Sequence, residues 1–298
     1  MRFTFTTIVA LLLAVAGCSR SRHYEMRGQV LALDPSRQEI TIKHEDIRGF
    51  MPGMTMPFKV RDPKLLNGKR PGDFVTATLV VGDAEGYLSA ITTTGHAPLT
   101  EPPPPRPVMD VLQPGDEVPD AAFVDESGKR RTFSEWRGRI LAVTFIYTRC
   151  PLPNFCPRMD RNFAAVQHDV TGDPRLGDRV RLLSVSFDPD FDTPAVLADH
   201  ARRAGADPSV WNFVTGSRDD IDTFAGRFGV SVLRQDPAQQ EIVHNLRTAV
   251  IGADGRLRVV LNGNDWTPAD LLTALKEAGG AGHECERAGV DRERDPAL

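Results

Sequence analysis

The stretch HAPLTEPPPPRP, residues 96–107, constrains this chain more than any other, because neither a helix nor the interior of a sheet can absorb it. Consecutive prolines favour an extended polyproline II spacer of low flexibility. The 298 residues are thereby divided into a part of about 75 residues and a part of about 175, each long enough to bury its own core. No internal repeat is visible. Residues 24–95 read as a first domain, 96–107 as the joint, 108–280 as a second domain, and 281–298 (AGHECERAGVDRERDPAL) as a polar, small-residue tail expected to be disordered.

The first domain shows strand-like alternation with little helical periodicity. MRGQVLAL, QEITIKH, MTMPFKV, DFVTATLVV and GYLSAITTT are separated by turn chemistry such as DPS and GDAEG. Five short strands predict a small, closed, all-β barrel of the OB type. The second domain alternates strands with helices. ILAVTFIYT is a continuous apolar run, as expected of a central strand covered on both faces. RMDRNFAAVQHDV, TPAVLADHARRAG, the stretch around RDDIDTFAGRFG and PADLLTALKEAGG read as helices, the second with Pro194 in its first turn and the last ended by Gly279. RVRLLSVSF and WNFVTG read as further strands, and TAVIGADGRLRVVLNG as a hairpin. This order predicts a thioredoxin-like α/β sandwich.

The beginning of the chain fixes a compartment. Residues 1–18 carry Arg2 and an apolar run, IVALLLAVAG, too short to span a bilayer. The run ends in Val15-Ala16-Gly17-Cys18, which resembles a bacterial lipobox and implies lipid attached to Cys18 after cleavage. The competing reading is an ordinary cleaved signal peptide. Both put the mature protein outside the cytoplasm, and the first makes it a membrane-anchored bacterial lipoprotein on the periplasmic side. Nothing else in the sequence is long and apolar enough to cross a membrane. A net charge of −4 and a pI near 6.0 exclude a nucleic-acid binder. Four cysteines are too few for a disulfide scaffold, and with Cys18 lipidated an odd number remains: Cys150, Cys156 and Cys285.

YTRCPLPNFCPRM, residues 147–159, places Cys150 at the end of the central strand and Cys156 at the start of a helix. Pro157 suits a first helical turn, and the free amides and dipole of that terminus favour a thiolate on Cys156. Pro151, Pro153 and Pro157 reduce the entropy lost on ordering the loop. A disulfide staple, a redox couple and a soft-metal clamp all remain open from the loop alone. His244 precedes the predicted hairpin, where a fixed backbone can aim it. Two thiolates and a neutral imidazole would make a three-ligand set suited to Cu(I) and able to hold Cu(II).

The stretches VTFIYTRCP…CPRM, LLSVSFDPDFDTPAVL and VHNLRTAVIGADGRL, in this order, resemble the Sco/SenC family of copper chaperones over residues 108 to about 278. The resemblance implies a thioredoxin-like fold with Cys150, Cys156 and His244 as copper ligands. It also implies delivery of copper to the binuclear copper centre of cytochrome c oxidase, with the oxidase's copper-bearing subunit as partner, or action on the thiols of that centre. The family places three residues between the cysteines, whereas this loop has five. Asp188 and Asp192 also fall at family-like positions, and local loop geometry and capping ahead of Pro194 account for them.

Met51-Pro52-Gly53-Met54-Thr55-Met56 holds three of the seven methionines. On a strand Met54 and Met56 share a face, and His44 on the preceding strand can face them. Thioethers need lose no proton and resist disulfide chemistry, which suits Cu(I) outside the cytoplasm, although methionines also fill small cores. The stretch resembles the periplasmic CusF-like copper-binding domains over roughly residues 24–95, which implies His44, Met54 and Met56 as a second metal site. Where CusF stacks a tryptophan on the metal, this sequence has Met51 beside Phe50: either Met51 adds a third sulfur or Phe50 caps the face. His283 and Cys285 in the tail form a loose pair to which no role is given.

These readings converge on an extracytoplasmic copper carrier, not an enzyme, with copper as Cu(I) or Cu(II) and other periplasmic copper carriers as further partners. The alternative is a thiol–disulfide oxidoreductase with Cys150 and Cys156 as the redox pair. Dedicated redox enzymes of this fold use Cys-x-x-Cys, which is absent here, as is the Thr-x-x-Cys stretch of a peroxidase relative.

Overall fold

The computed structural model describes residues 21–51, 53–99, 110–234 and 242–290. Residues 1–18 with Cys18, and most of the proline joint, lie outside the described residues.

Five strands form the first unit: β1 (Arg22–Asp34), β2 (Glu39–His44), β3 (Met54–Val60), β4 (Asp73–Val81) and β5 (Gly86–His96). They close into a barrel in the order β1-β2-β3-β5-β4. The alternation read from the sequence sets the inner face: Ile40, Ile42 and His44 of β2 are buried, as are Met54, Met56, Phe58 and Val60 of β3. A bulge between Val30 and Ala32 bends β1. Gly28 is where β1 and β2 approach most closely; a Cβ there would lie 2.5 Å from the Lys43 carbonyl oxygen. β3 pairs with β5 only through Lys59–Tyr87 and Val60–Leu88. The segment Met54–Phe58 therefore has no ladder partner on that side.

The second unit is built on a seven-stranded sheet in the order β14-β13-β8-β9-β10-β6-β7. Its strands are β6 (Ala122–Asp125), β7 (Arg130–Thr132), β8 (Ile140–Ile146), β9 (Val180–Ser186), β10 (Trp211–Thr215), β13 (Arg247–Ile251) and β14 (Leu257–Asn262). β8, β9 and β10 are parallel and joined through α1 (Cys156–Gly172) and α2 (Pro194–Ala204), whereas β13 runs antiparallel to β8. All seven residues of β8 are buried, which explains its uninterrupted apolar sequence. α3 (Arg218–Arg227) inserts Phe224 against Phe123, Phe133 and Phe145. β11 (Val232–Arg234) and β12 (Ile242–His244) form a separate antiparallel pair. The short strands β6, β7, β11 and β12 had no counterpart in the sequence reading.

The last helix, α4 (Pro268–Val290), corrects the expected helix end at Gly279; residues 291–298 of the expected tail lie outside the described residues. Gly279 does not cap the helix but lets it approach β8: a Cβ there would come within 3.1 Å of Ile140 Cδ1. The helical backbone then continues through residues 281–290, taking His283 and Cys285 with it.

The two units are in contact, with β12 packed beside β3. Gly86 N–H donates to Asn154 Oδ1 at 3.2 Å, and Asn154 Nδ2 donates to the Gly86 carbonyl at 3.4 Å. Asn154 is itself held by Asn264, whose Nδ2 donates to its carbonyl at 2.6 Å. At the rim Asp265 pairs with Arg37 at 2.8 Å and Lys59 at 3.1 Å. Such half-exposed ion pairs contribute little, so the buried Asn154 amide sets the alignment.

Candidate metal centre

The cysteine loop leaves the end of β8 under two buried carboxylates. Asp192 accepts hydrogen bonds from the Thr148 N–H (3.0 Å), the Thr148 hydroxyl and the Ser186 hydroxyl. Asp188 accepts from Arg149 Nε at 2.7 Å. Together they fix the two residues before Cys150 to the loop after β9. Of the loop geometry and capping expected of these aspartates, the capping is corrected: the N-cap of α2 is Thr193, whose hydroxyl accepts from Val196 N–H. Burial raises the Asp192 carboxyl above its ordinary value despite its three donors.

Cys150 is half-buried and Cys156, the first residue of α1, is 2% exposed; both are free thiols. Burial pushes both upward, but Cys150 is lowered overall by hydrogen bonds from Cys156 (thiol and backbone), the Leu152 backbone and Tyr147. Cys156 is raised by burial and by its neighbour Cys150. The first thiolate therefore belongs to Cys150. The helix-terminus expectation for Cys156 is reversed because desolvation outweighs a dipole effect of at most about 2 kcal/mol.

His244 ends β12 with its ring against Phe187 (centroids 4.6 Å apart) and edge-on to Tyr147 (5.4 Å). Its Nδ1 lies 3.2 Å from the Asn245 carbonyl. A carbonyl only accepts, so Nδ1 carries the proton and Nε2 presents its lone pair. Burial lowers the pKa of His244 to about 4, which keeps the ring neutral at physiological pH.

The barrel contributes a second set of soft donors. Met51, Met54 and Met56 are all buried, and His44 sits directly across from Met54 in the β2–β3 ladder. His44 is 3% exposed; its Nδ1 donates to the Glu45 carbonyl at 2.7 Å, and its buried Nε2 has no hydrogen-bond partner. Burial lowers its pKa as well. A buried imidazole nitrogen without a partner costs free energy unless something accepts its lone pair, and a soft cation meets that need. Phe50 does not cap this face. Its ring stacks on Tyr24, with centroids 4.4 Å apart.

Met51, Met54 and Met56 line the same small pocket as Cys150 and His244. Its volume is about 10 Å³, room for one water-sized body. Cys156, a neighbour of Cys150, and His44, the cross-strand partner of Met54, do not line this pocket themselves. Among the described residues no three His, Cys, Asp or Glu side chains cluster into a metal cage. The donors brought together here are of mixed type: thioether, thiol and imidazole. The sequence reading missed Tyr147, Thr148, Phe187 and Asn154. The one available signal was a loop two residues longer than the family spacing, with Leu152, Asn154 and Phe155 between its prolines.

The SCO1/SenC family profile matches residues 111–279, and that of the copper binding periplasmic protein CusF matches residues 23–93. The chain belongs to the SCO1/SenC family, with a CusF-like unit at its N-terminal side. It is 26% identical over 164 residues to the SCO1 protein homolog of Bacillus subtilis, covering 54% of this chain and 82% of that one. It is 28% identical over 137 residues to the mitochondrial SCO1 homolog of Homo sapiens, covering 45% of this chain and 44% of that protein. Among solved structures, a SCO1/SenC family lipoprotein from Bacillus anthracis is 25% identical, with a TM-score of 0.50 over 57% of this chain and 99% of that one. The second unit thus has the thioredoxin-like fold of that family.

Proposed function

We propose that this chain is an extracytoplasmic copper carrier whose cargo is held by Cys150, Cys156 and His244, with His44, Met51, Met54 and Met56 as a second soft site. The observation that carries the reading is the convergence of His244 and Cys150 on one pocket from distant parts of the chain. Both histidines engage Nδ1 with a backbone carbonyl, which leaves Nε2 as the lone-pair nitrogen of a neutral ring, the form a copper ion requires. The sulfur donors select Cu(I) over harder cations. The CusF match and the family membership support copper as the metal.

In this reading residues 24–95 form an OB-type barrel, 96–107 a spacer and 108–280 the thioredoxin-like carrier. Cys18 carries the lipid that anchors the protein at the periplasmic face of a bacterial membrane. The acceptor is the copper-bearing subunit of cytochrome c oxidase, with other periplasmic copper carriers as donors. No helix among the described residues is long and apolar enough to cross a membrane.

A second reading, thiol–disulfide exchange on the cysteines of the acceptor, is favoured by one observation: Cys150 is the more exposed thiol and Cys156 is placed to resolve a mixed disulfide. The two readings part on His244, which disulfide chemistry does not need. Anaerobic Cu(I) competition titration of the reduced protein and of His244→Ala tests this. The copper reading expects at least about a tenfold loss of affinity, equivalent to about 1.4 kcal/mol, with disulfide formation intact. Unchanged affinity in the variant contradicts it.

A further inference from the structure

Resting on the copper reading, we propose that the barrel and the sandwich share one soft-metal position, so that a cuprous ion moves between the methionine wall and Cys150 without entering solvent. Four observations meet here. The pocket is walled on one side by Met51, Met54 and Met56 and on the other by Cys150 and His244. Its volume of about 10 Å³ is on the scale of a single small body, which both walls would face. On its β5 side β3 has no ladder partner along Met54–Phe58, and β12 of the sandwich packs beside this strand. Across the β2–β3 ladder from Met54 stands His44, whose buried Nε2 has no hydrogen-bond partner and offers a further donor on the barrel side.

The long cysteine loop belongs to this arrangement. Leu152 and Asn154, between the two cysteines, are buried against Gly86 of the barrel, where a Cβ would come within 3.1 Å of Leu152 Cδ2. The five-residue spacing is therefore a docking device that brings Cys150 to the thioethers. Transfer is a ligand exchange with no electron moved. A thioether–copper bond breaks as a Cys150–copper bond forms, the metal stays Cu(I), and the thiol proton passes to bulk water. The thioether leaves as it came, since it carries no proton to exchange.

The test uses the full chain, reduced, with methionine methyls labelled with ¹³C, titrated anaerobically with Ag(I) as the probe. The first equivalent should shift methyls of the Met51, Met54 and Met56 group and, in the same step, protect Cys150 from alkylation. Gly86→Arg, which drives a side chain into Leu152, and Asn154→Ala, which removes both hydrogen bonds to Gly86, should separate the two responses. In these variants the first equivalent should protect Cys150 and leave the methyls in place. Methyl shifts confined to a second equivalent in the unaltered chain, or identical titrations in both undocking variants, overturn the shared position and leave the two-site copper reading standing. A chain that retains no Ag(I) ends both.

Discussion

Asn154 of the cysteine loop exchanges two hydrogen bonds with the backbone of Gly86 in the barrel, at 3.2 and 3.4 Å. One side chain thus bonds both backbone groups of a buried residue in the other unit, beside the pocket lined by Cys150 and the methionines. Asn154→Ala leaves those groups unpaired, a loss expected to cost about 1–3 kcal/mol. Thermal denaturation should show a lowered first transition, and Cys150 should be alkylated faster than in the unaltered protein. Unchanged melting together with unchanged thiol reactivity would mean that the units do not hold each other in this alignment.

Met54→Leu with Met56→Leu nearly conserves volume and should cost less than about 1.5 kcal/mol each. Binding of Ag(I) to a Cys150→Ser/Cys156→Ser background, in which the thiols are gone and the barrel sulfurs are the soft donors that remain, should nevertheless disappear. Retained Ag(I) in the quadruple variant would make these methionines packing residues alone.

Cys150 is half-buried and Cys156 is 2% exposed, so the two thiols should react in a fixed order. Limited iodoacetamide labelling followed by peptide mass mapping should find Cys150 modified first. Equal or reversed labelling would require a loop more open than the one described.

Asp192 makes the stability of the cysteine loop depend on pH in a definite direction. Its folded pKa is raised, chiefly by burial, against the three donors from Thr148 and Ser186 and beside Asp188, whose own carboxylate meets Arg149. A raised folded value means the stabilising contribution is present below the ordinary value of 3.8 and lost as pH rises through the folded value. Asp192→Asn should therefore flatten the dependence of unfolding free energy on pH across the acid range, measured by urea denaturation. A steeper dependence in the variant would reverse the sign assigned to this group.

The barrel was legible because each of its strands alternates apolar and polar residues, and alternation survives in a single sequence whatever it packs against. β8 was legible for the opposite reason, its lack of any alternation. β12 was not, since three residues carry no periodicity, and β6 and β7 fail similarly. Gly279 was read as a helix stop because glycine's freedom and its lack of bulk leave the same mark in a sequence; only the nearness of Ile140 separates them. Candidate donors could be named from residue type and spacing. That Met54 and Cys150 would line one pocket could not, because burial patterns tell which face is covered and not by what. The partners of Asp192 were hidden likewise: Thr148 lies far away in the chain, and a local cap was the nearer explanation.

X-ray absorption at the copper edge of the reduced full chain, loaded with one equivalent of Cu(I), bears most directly on the central claim. The account predicts a sulfur-dominated first shell together with the outer-shell scattering of an imidazole ring, and loss of part of that imidazole signal in His244→Ala. A spectrum from oxygen and nitrogen neighbours without sulfur, or one that His244→Ala leaves unchanged, would contradict it.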